Sequence, residues 1–194
     1  MALVDRVKSI LLTPKTEWQV IDGEVTTPGA LYAGYILPLA AIGPIAQLIG
    51  STVFGYGMPF TGHAWRMPIG AALSGAVVRY VLSLIAVYLL ALIIDALAPT
   101  FDGTRSQIQA LKVAAYASTA SWVAGIFALV PGLRVLGILG LYSLYLLYLG
   151  LPVLMKASAE KAVAYTAVVI LAAVVLFMIV GAVVARFVVG PMGA

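Results

Sequence analysis

Charge is absent from five long stretches of the chain, which hold almost nothing but apolar, glycine and small hydroxyl residues: Ala30 to Phe54, Ile69 to Ile94, Val113 to Val130, Val135 to Met155 and Ala162 to Ala185. Arg79 is the one charge deep within them. A helix rising 1.5 Å per residue needs about 20 such residues to cross roughly 30 Å of hydrocarbon. The pattern therefore predicts an all-α integral membrane protein with five transmembrane helices, residues 29–194, behind a short amphipathic segment at 1–28. In that segment Leu3, Val7, Ile10 and Leu11 share one helical face, and Asp5, Arg6 and Lys8 turn away from it. Thr13-Pro14 stops this helix and starts another, running to Trp18 and Ile21. Two placements fit the segment equally: on the inner membrane surface, or packed on the loops.

Breaks are marked by proline, glycine and caps. Pro38 and Pro44 kink span one and free the carbonyls of Gly34 and Ala40. Tyr56, Phe60 and Trp65 decorate a Gly- and Pro-rich interfacial loop from Gly55 to Pro68. Thr104-x-x-Gln107 reads as a capping box, and Pro131-Gly132 leaves almost no loop between spans three and four.

Composition agrees: 63% of the 194 residues are hydrophobic and 9% charged, against about 45–50% and 25% in soluble domains. The formal charge of +4 comes from cations beside the spans, so nucleic acid is not an expected partner. Arg6, Lys8, Lys15, Arg105, Lys112, Lys156 and Lys161 fall on one side, and Arg66, Arg134 and Arg186 on the other. By the positive-inside rule this puts the N-terminus in the cytoplasm and the C-terminus outside, in the plasma membrane if the cell is prokaryotic.

Candidate chemistry is sparse. With no cysteine and His63 as the single histidine, no His/Cys metal cluster can form. Ala72-Leu73-Ser74-Gly75 has the serine of an intramembrane protease motif but no span supplies a histidine base. No phosphate-cradling loop is present. Neither catalysis, a metal nor a cofactor is expected.

The binding candidates are Arg79, Trp122, Tyr142, Tyr145 and Tyr148. Arg79 lies near mid-membrane, so it must face protein or water, and Ala72, Gly75, Ala76, Ser83 and Ala86 share its face. Its counterpart is open between the freed carbonyls of span one, the outer surface by snorkelling, and an anionic lipid or small solute. The tyrosines either line a polar cavity or pack with their hydroxyls satisfied. Asp95, at the end of span two where the helix dipole disfavours an anion, needs a cation such as Arg105 or Lys112, and the three suggest a cytoplasmic latch. Gln47 reads as interhelical glue.

From Asp95 onward the chain carries Ala98-Pro99-x-Phe101-x-Gly103, Ala110-Leu111-Lys112, Tyr116, Trp122-x-Ala124-Gly125 and Pro131. It continues with Leu141-Tyr142-x-x-Tyr145-Leu146, Gly150-Leu151-Pro152-x-x-Met155-Lys156 and Lys161-Ala162-x-x-Tyr165. With Leu12-x-Pro14-x-x-Glu17-Trp18 before them, these resemble small prokaryotic members of the Yip (Ypt-interacting-protein) family. The resemblance implies a five-span domain and an adaptor rather than an enzyme. Eukaryotic members look like partners of Rab-type GTPases through a long hydrophilic region, which this chain lacks, so GTPase binding is not expected. The functional expectation is interaction with the bilayer and with itself or another membrane protein through Ala71-x-x-x-Gly75, Ser121-x-x-x-Gly125 and Gly181-x-x-x-Ala185. The alternatives are a small-solute or ion transporter or channel using Arg79 and the span-four tyrosines, and a lipid-handling protein.

Overall fold

The computed structural model describes residues 2–57, 64–158 and 160–189; Phe60 and His63 lie outside them. Two short helices, α1 (Leu3–Leu12) and α2 (Pro14–Gly23), form an antiparallel hairpin. A long helix α3 (Pro28–Phe54) follows. The two-residue strands Tyr56–Gly57 and Ala64–Trp65 pair antiparallel beyond it. Next come α4 (Ile69–Leu97) with a 3-10 extension to Phe101, α5 (Gln107–Ala117), α6 (Thr119–Ala124) and a 3-10 turn, Gly125–Leu129. Then α7 (Pro131–Leu154) opens as 3-10 helix to Leu141 and widens into α-helix from Tyr142. The last element is α8 (Ala162–Val189).

Four helical runs among the described residues, not five, are long and apolar enough to cross a membrane: Pro28–Phe54, Ile69–Phe101, Pro131–Leu154 and Ala162–Arg186. The third expected span, Val113 to Val130, is the one that fails, and the five-span architecture implied by the family resemblance falls with it. The Ser118 hydroxyl bonds back to the Ala114 carbonyl at 2.7 Å, Thr119 Oγ1 bonds to the Tyr116 carbonyl at 2.7 Å, and the helix breaks between them. Such back-bonding competes with the helical ladder and bends it. Beyond the break the chain tightens into 3-10 geometry at Gly125. Residues Ala110 to Ala117 are all buried in protein, so this run of alanines and serines is apolar because it is the internal post of the bundle. Sorting the loop cations for orientation assumed five crossings and therefore loses its basis, including the placement of the two termini on opposite sides.

Close approach around the post is made by glycine. A Cβ on Gly125 would lie 2.8 Å from the Cα of Gly43 in α3, and one on Gly50 would lie 2.3 Å from the Ala128 carbonyl oxygen. Only a missing side chain lets the backbones approach so closely, the usual device where helices meet in lipid. Around Pro38, α3 relaxes into a π-turn at Tyr32–Ile36, and the Leu37 carbonyl accepts the Tyr80 hydroxyl at 3.1 Å. Insertion of extra residues and hydroxyl donors is how a membrane helix re-satisfies backbone around proline.

The hairpin packs against the bundle along one side of α7. Ile10, Trp18 and Ile21 are fully buried, and moving each from water contributes about 1.5–3 kcal/mol. Trp18 fills the notch left by Gly150, where a Cβ would meet the indole at 2.7 Å. Gly150→Ala forces one rigid group into another, and its overpacking, about 1–3 kcal/mol, outweighs the gain of about 1 kcal/mol in helix propensity. The expected result is a lower melting temperature and a shifted Trp18 fluorescence in detergent; an unchanged melt would remove this packing contact as a determinant of stability.

Candidate functional site

Two polar regions stand out in an otherwise apolar molecule. The first clamps the hairpin to the end of the bundle. Arg6 of α1 is buried and paired with both Glu17 of α2 and Glu24 just beyond it. Its guanidinium also lies over the Tyr116 ring, 5.7 Å from the centroid, a position where the negative ring face attracts a cation. Tyr116 leans in turn on Tyr35, with ring centroids 4.6 Å apart and the planes tilted by 57°, and the Tyr35 and Thr119 hydroxyls are bonded at 2.7 Å. From α5, buried Lys112 donates to the carbonyls of Ile21 at 2.9 Å and Glu24 at 2.6 Å, closing the C-terminal end of α2 where cations are favoured. Burial pushes the Lys112 ammonium below its ordinary pKa, against the attraction of Glu24 and Asp22.

Further ties close the same end. Gln109 donates to Asp22, and Lys156 pairs with Asp22 at 2.5 Å. The Thr104 N–H donates to the Met155 carbonyl at 2.7 Å, joining the ends of α4 and α7. Lys161 meets Asp102 at 2.8 Å, and this hydrogen bond holds the exposed Asp102 carboxyl below the usual range. Lys112 is thus spent on α2. Asp95 is half-buried, with Oδ1 lacking a hydrogen-bond partner among the described residues, and Arg105 is exposed. The loop is latched by Asp102, Asp22 and their lysines; the Asp95, Arg105 and Lys112 set does not come together as a latch.

The second region is a chain of cavities between the long helices. The largest, 610 Å³, is walled by α6, the 3-10 turn, α7 and α8, with Arg134, Ser118, Ser121 and Ser143 as its polar lining together with Gln47. A neighbouring space of 290 Å³ shares Ser118, Ser121 and Gln47 and is bounded by Arg79 and Trp122, with Ala40 and Pro44 of α3 across from them. A third, of 200 Å³, lies between α4 and α8 and contains Arg79 and Gln47 again. Gln47 lines all three. No Asp or Glu is among the described residues on these walls.

Of the sequence candidates, Arg79 and Trp122 are brought together here. Tyr142, Tyr145 and Tyr148 lie exposed on the other flank of α7 from Ser143, Leu144 and Leu147, which line the cavity. The Tyr142 hydroxyl instead donates to the Leu11 carbonyl at 3.1 Å, and its ring leans on Tyr145 at 5.4 Å. Arg134 is the residue that sequence reasoning missed. Counted with the loop cations, it belongs to the first turns of α7 and is half-buried; the signal was the near-absence of loop at Pro131-Gly132. Of the small-residue faces, Gly75 is buried and Ser121 packs on Gly140, whereas Gly181 and Ala185 are exposed beside the cavity between α4 and α8. Among the described residues no group of three His, Cys, Asp or Glu side chains could hold a metal ion.

Replacing Lys112 by Met leaves the end of α2 without its charged donor, a loss of about 1–3 kcal/mol for buried carbonyls. Amide exchange across residues 14–24 is expected to accelerate while α8 is unaffected; unchanged protection in α2 would contradict the clamp.

No curated relative and no solved structure matches the chain. A family model described as the Yip1 domain matches residues 8–181, which is nearly its whole length. By that match the chain belongs to the Yip1-domain family, and with its four candidate spans it is a multi-pass membrane protein.

Proposed function

We propose that this protein acts through association within the membrane, binding a second copy of itself or another membrane protein. The observation that carries the reading is α8. Only 17% of its apolar window is buried in the monomer, against 39% for α3, and Ala164, Leu171, Val175, Met178 and Ala182 form one exposed stripe along it at helical spacing. Gly181 and Ala185 also stay exposed on α8, so the small and the larger residues of this helix together offer the surface for a partner. Residues 1–28 serve in this reading as a cap that stiffens the end of the 29–194 bundle. In a prokaryotic cell its place is the plasma membrane. Transport has no comparable support, because the tyrosines offered for a path lie off the cavity walls.

A chain without cysteine permits a direct test. Single cysteines at Leu171 and Met178 are expected to form disulfide-linked dimers in native membranes, in marked excess over controls at Leu73 and Val77 on α4. Equal cross-linking at both helices, together with a monomer in native mass spectrometry, would contradict self-association.

A further inference from the structure

We propose that the turn of the N-terminal hairpin is a membrane contact of its own, in which Leu12 enters the hydrocarbon of one leaflet while Lys8 and Lys15 bind the head groups of acidic lipids at its edge. The inference goes beyond the association reading and stands on different residues.

Register along α7 sets the depth. Asp22, near the open end of the hairpin, pairs with Lys156, Trp18 fills the notch at Gly150, and the Leu11 carbonyl accepts the Tyr142 hydroxyl. These contacts step back along α7 in order, so α2 runs parallel to it and the turn at Thr13-Pro14 points toward the middle of a candidate span. Measured from Pro131, the 11 residues of 3-10 helix rise about 22 Å at roughly 2.0 Å each. The α-helix that follows needs about five residues for another 8 Å. Roughly 30 Å of hydrocarbon therefore ends near Leu147, between Tyr145 and Tyr148. Both tyrosines are exposed, and tyrosine gathers at this boundary because its ring is apolar and its hydroxyl is wet.

The turn lies on the hydrocarbon side of that line. Tyr142 is about 7 Å deeper than Leu147 at 1.5 Å per residue, and Leu12, next to the Leu11 carbonyl that Tyr142 holds, is 78% exposed. Lipid removes that apolar side chain from water, as nothing in the bundle does. Lys8 precedes Leu11 by one helical turn and Lys15 precedes Trp18 by one turn. On antiparallel helices this puts Lys8 about 4.5 Å from the Tyr142 level toward the open end, and Lys15 about 4.5 Å from the Gly150 level toward the turn. Both therefore stand level with Tyr145 to Leu147, at the edge of the hydrocarbon.

Charge selects the lipid. Lys8 and Lys15 are exposed and join none of the ion pairs among the described residues. Of the carboxylates nearest in sequence, Glu17 is buried against Arg6, and Asp5 is exposed about a turn farther from the lipid than Lys8. The edge is thus net positive, and a lysine can lay its stem along the apolar tip while its ammonium reaches the head groups. An acidic leaflet attracts each such lysine, by about fivefold in local occupancy. Arg6 between its glutamates and Lys112 on the α2 carbonyls hold the hairpin in place, so the tip is presented without further ordering.

The test places a bimane label at Thr13→Cys in the otherwise cysteine-free chain, with Val25→Cys beyond the open end as control, in vesicles of phosphatidylcholine and phosphatidylglycerol. The Thr13 label is expected to be quenched by brominated acyl chains and shielded from aqueous iodide, and the Val25 label to behave the other way. With bromine carried on one lipid at a time, phosphatidylglycerol is expected to quench the Thr13 label at lower mole fraction than phosphatidylcholine. That preference is expected to fall about fivefold in Lys8→Gln and in Lys15→Gln, to vanish at high salt, and to be unchanged in Arg186→Gln at the far end of α8. Leu12→Glu, on an exposed position, is expected to open the Thr13 label to iodide. Equal iodide access at Thr13 and Val25 would overturn the insertion of the turn. Equal quenching by the two lipids, or a preference that survives both lysine substitutions, would overturn the head-group contact.

Discussion

The architecture depends on how closely two backbones approach where α3 meets the 3-10 turn after α6. Gly43 faces Gly125 and Gly50 faces the Ala128 carbonyl, with no room for a methyl group at either. In lipid there is no hydrophobic gain from bringing helices together, so close packing of small residues and a few hydrogen bonds must supply it. That contact fixes the broken segment 107–129 against α3, and its buried part, Ala110 to Ala117, stands inside the bundle.

A post made of alanine, serine and glycine supports close contact on one side and leaves space on the other. Toward α3 the small residues allow near contact; toward α7 and α8, whose walls carry Gly137, Gly140 and Ala173, the same small residues fail to fill the volume. Packing and cavity thus have a common origin. The hairpin end works by the opposite rule, with large side chains and paired charges: Trp18 in the Gly150 notch, Arg6 between two glutamates, Lys112 on the α2 carbonyls. Breaking one partner of such a buried pair is costly because the other charge remains. The clamp therefore secures one end while the middle stays loosely filled.

Much of this was legible in the residues. The periodicity of Leu3, Val7, Ile10 and Leu11, and the stop at Thr13-Pro14, point to the two helices α1 and α2. The third expected span fails because hydropathy scores alanine and serine by transfer, not by what they touch; Ser118 and Thr119, which bend the helix by bonding Ala114 and Tyr116, are the warning in the sequence. Lys112 was sought by Asp95 on adjacent sequence logic, whereas its partners are 91 and 88 positions away. Arg134 was hidden by the same counting that made the loops look orderly. The Lys112 pairing is long-range, and a single sequence does not encode it locally.

The central claim, that residues 110–120 form an internal post and not part of a lipid-facing span, is tested most directly by spin labels placed singly along 110–120 and along α8 in the cysteine-free chain. The account predicts that labels on the post are shielded from both lipid-dissolved oxygen and aqueous nickel reagent, while the α8 stripe is open to oxygen. A helical oscillation of oxygen exposure along 110–120 matching that of α8 would contradict it.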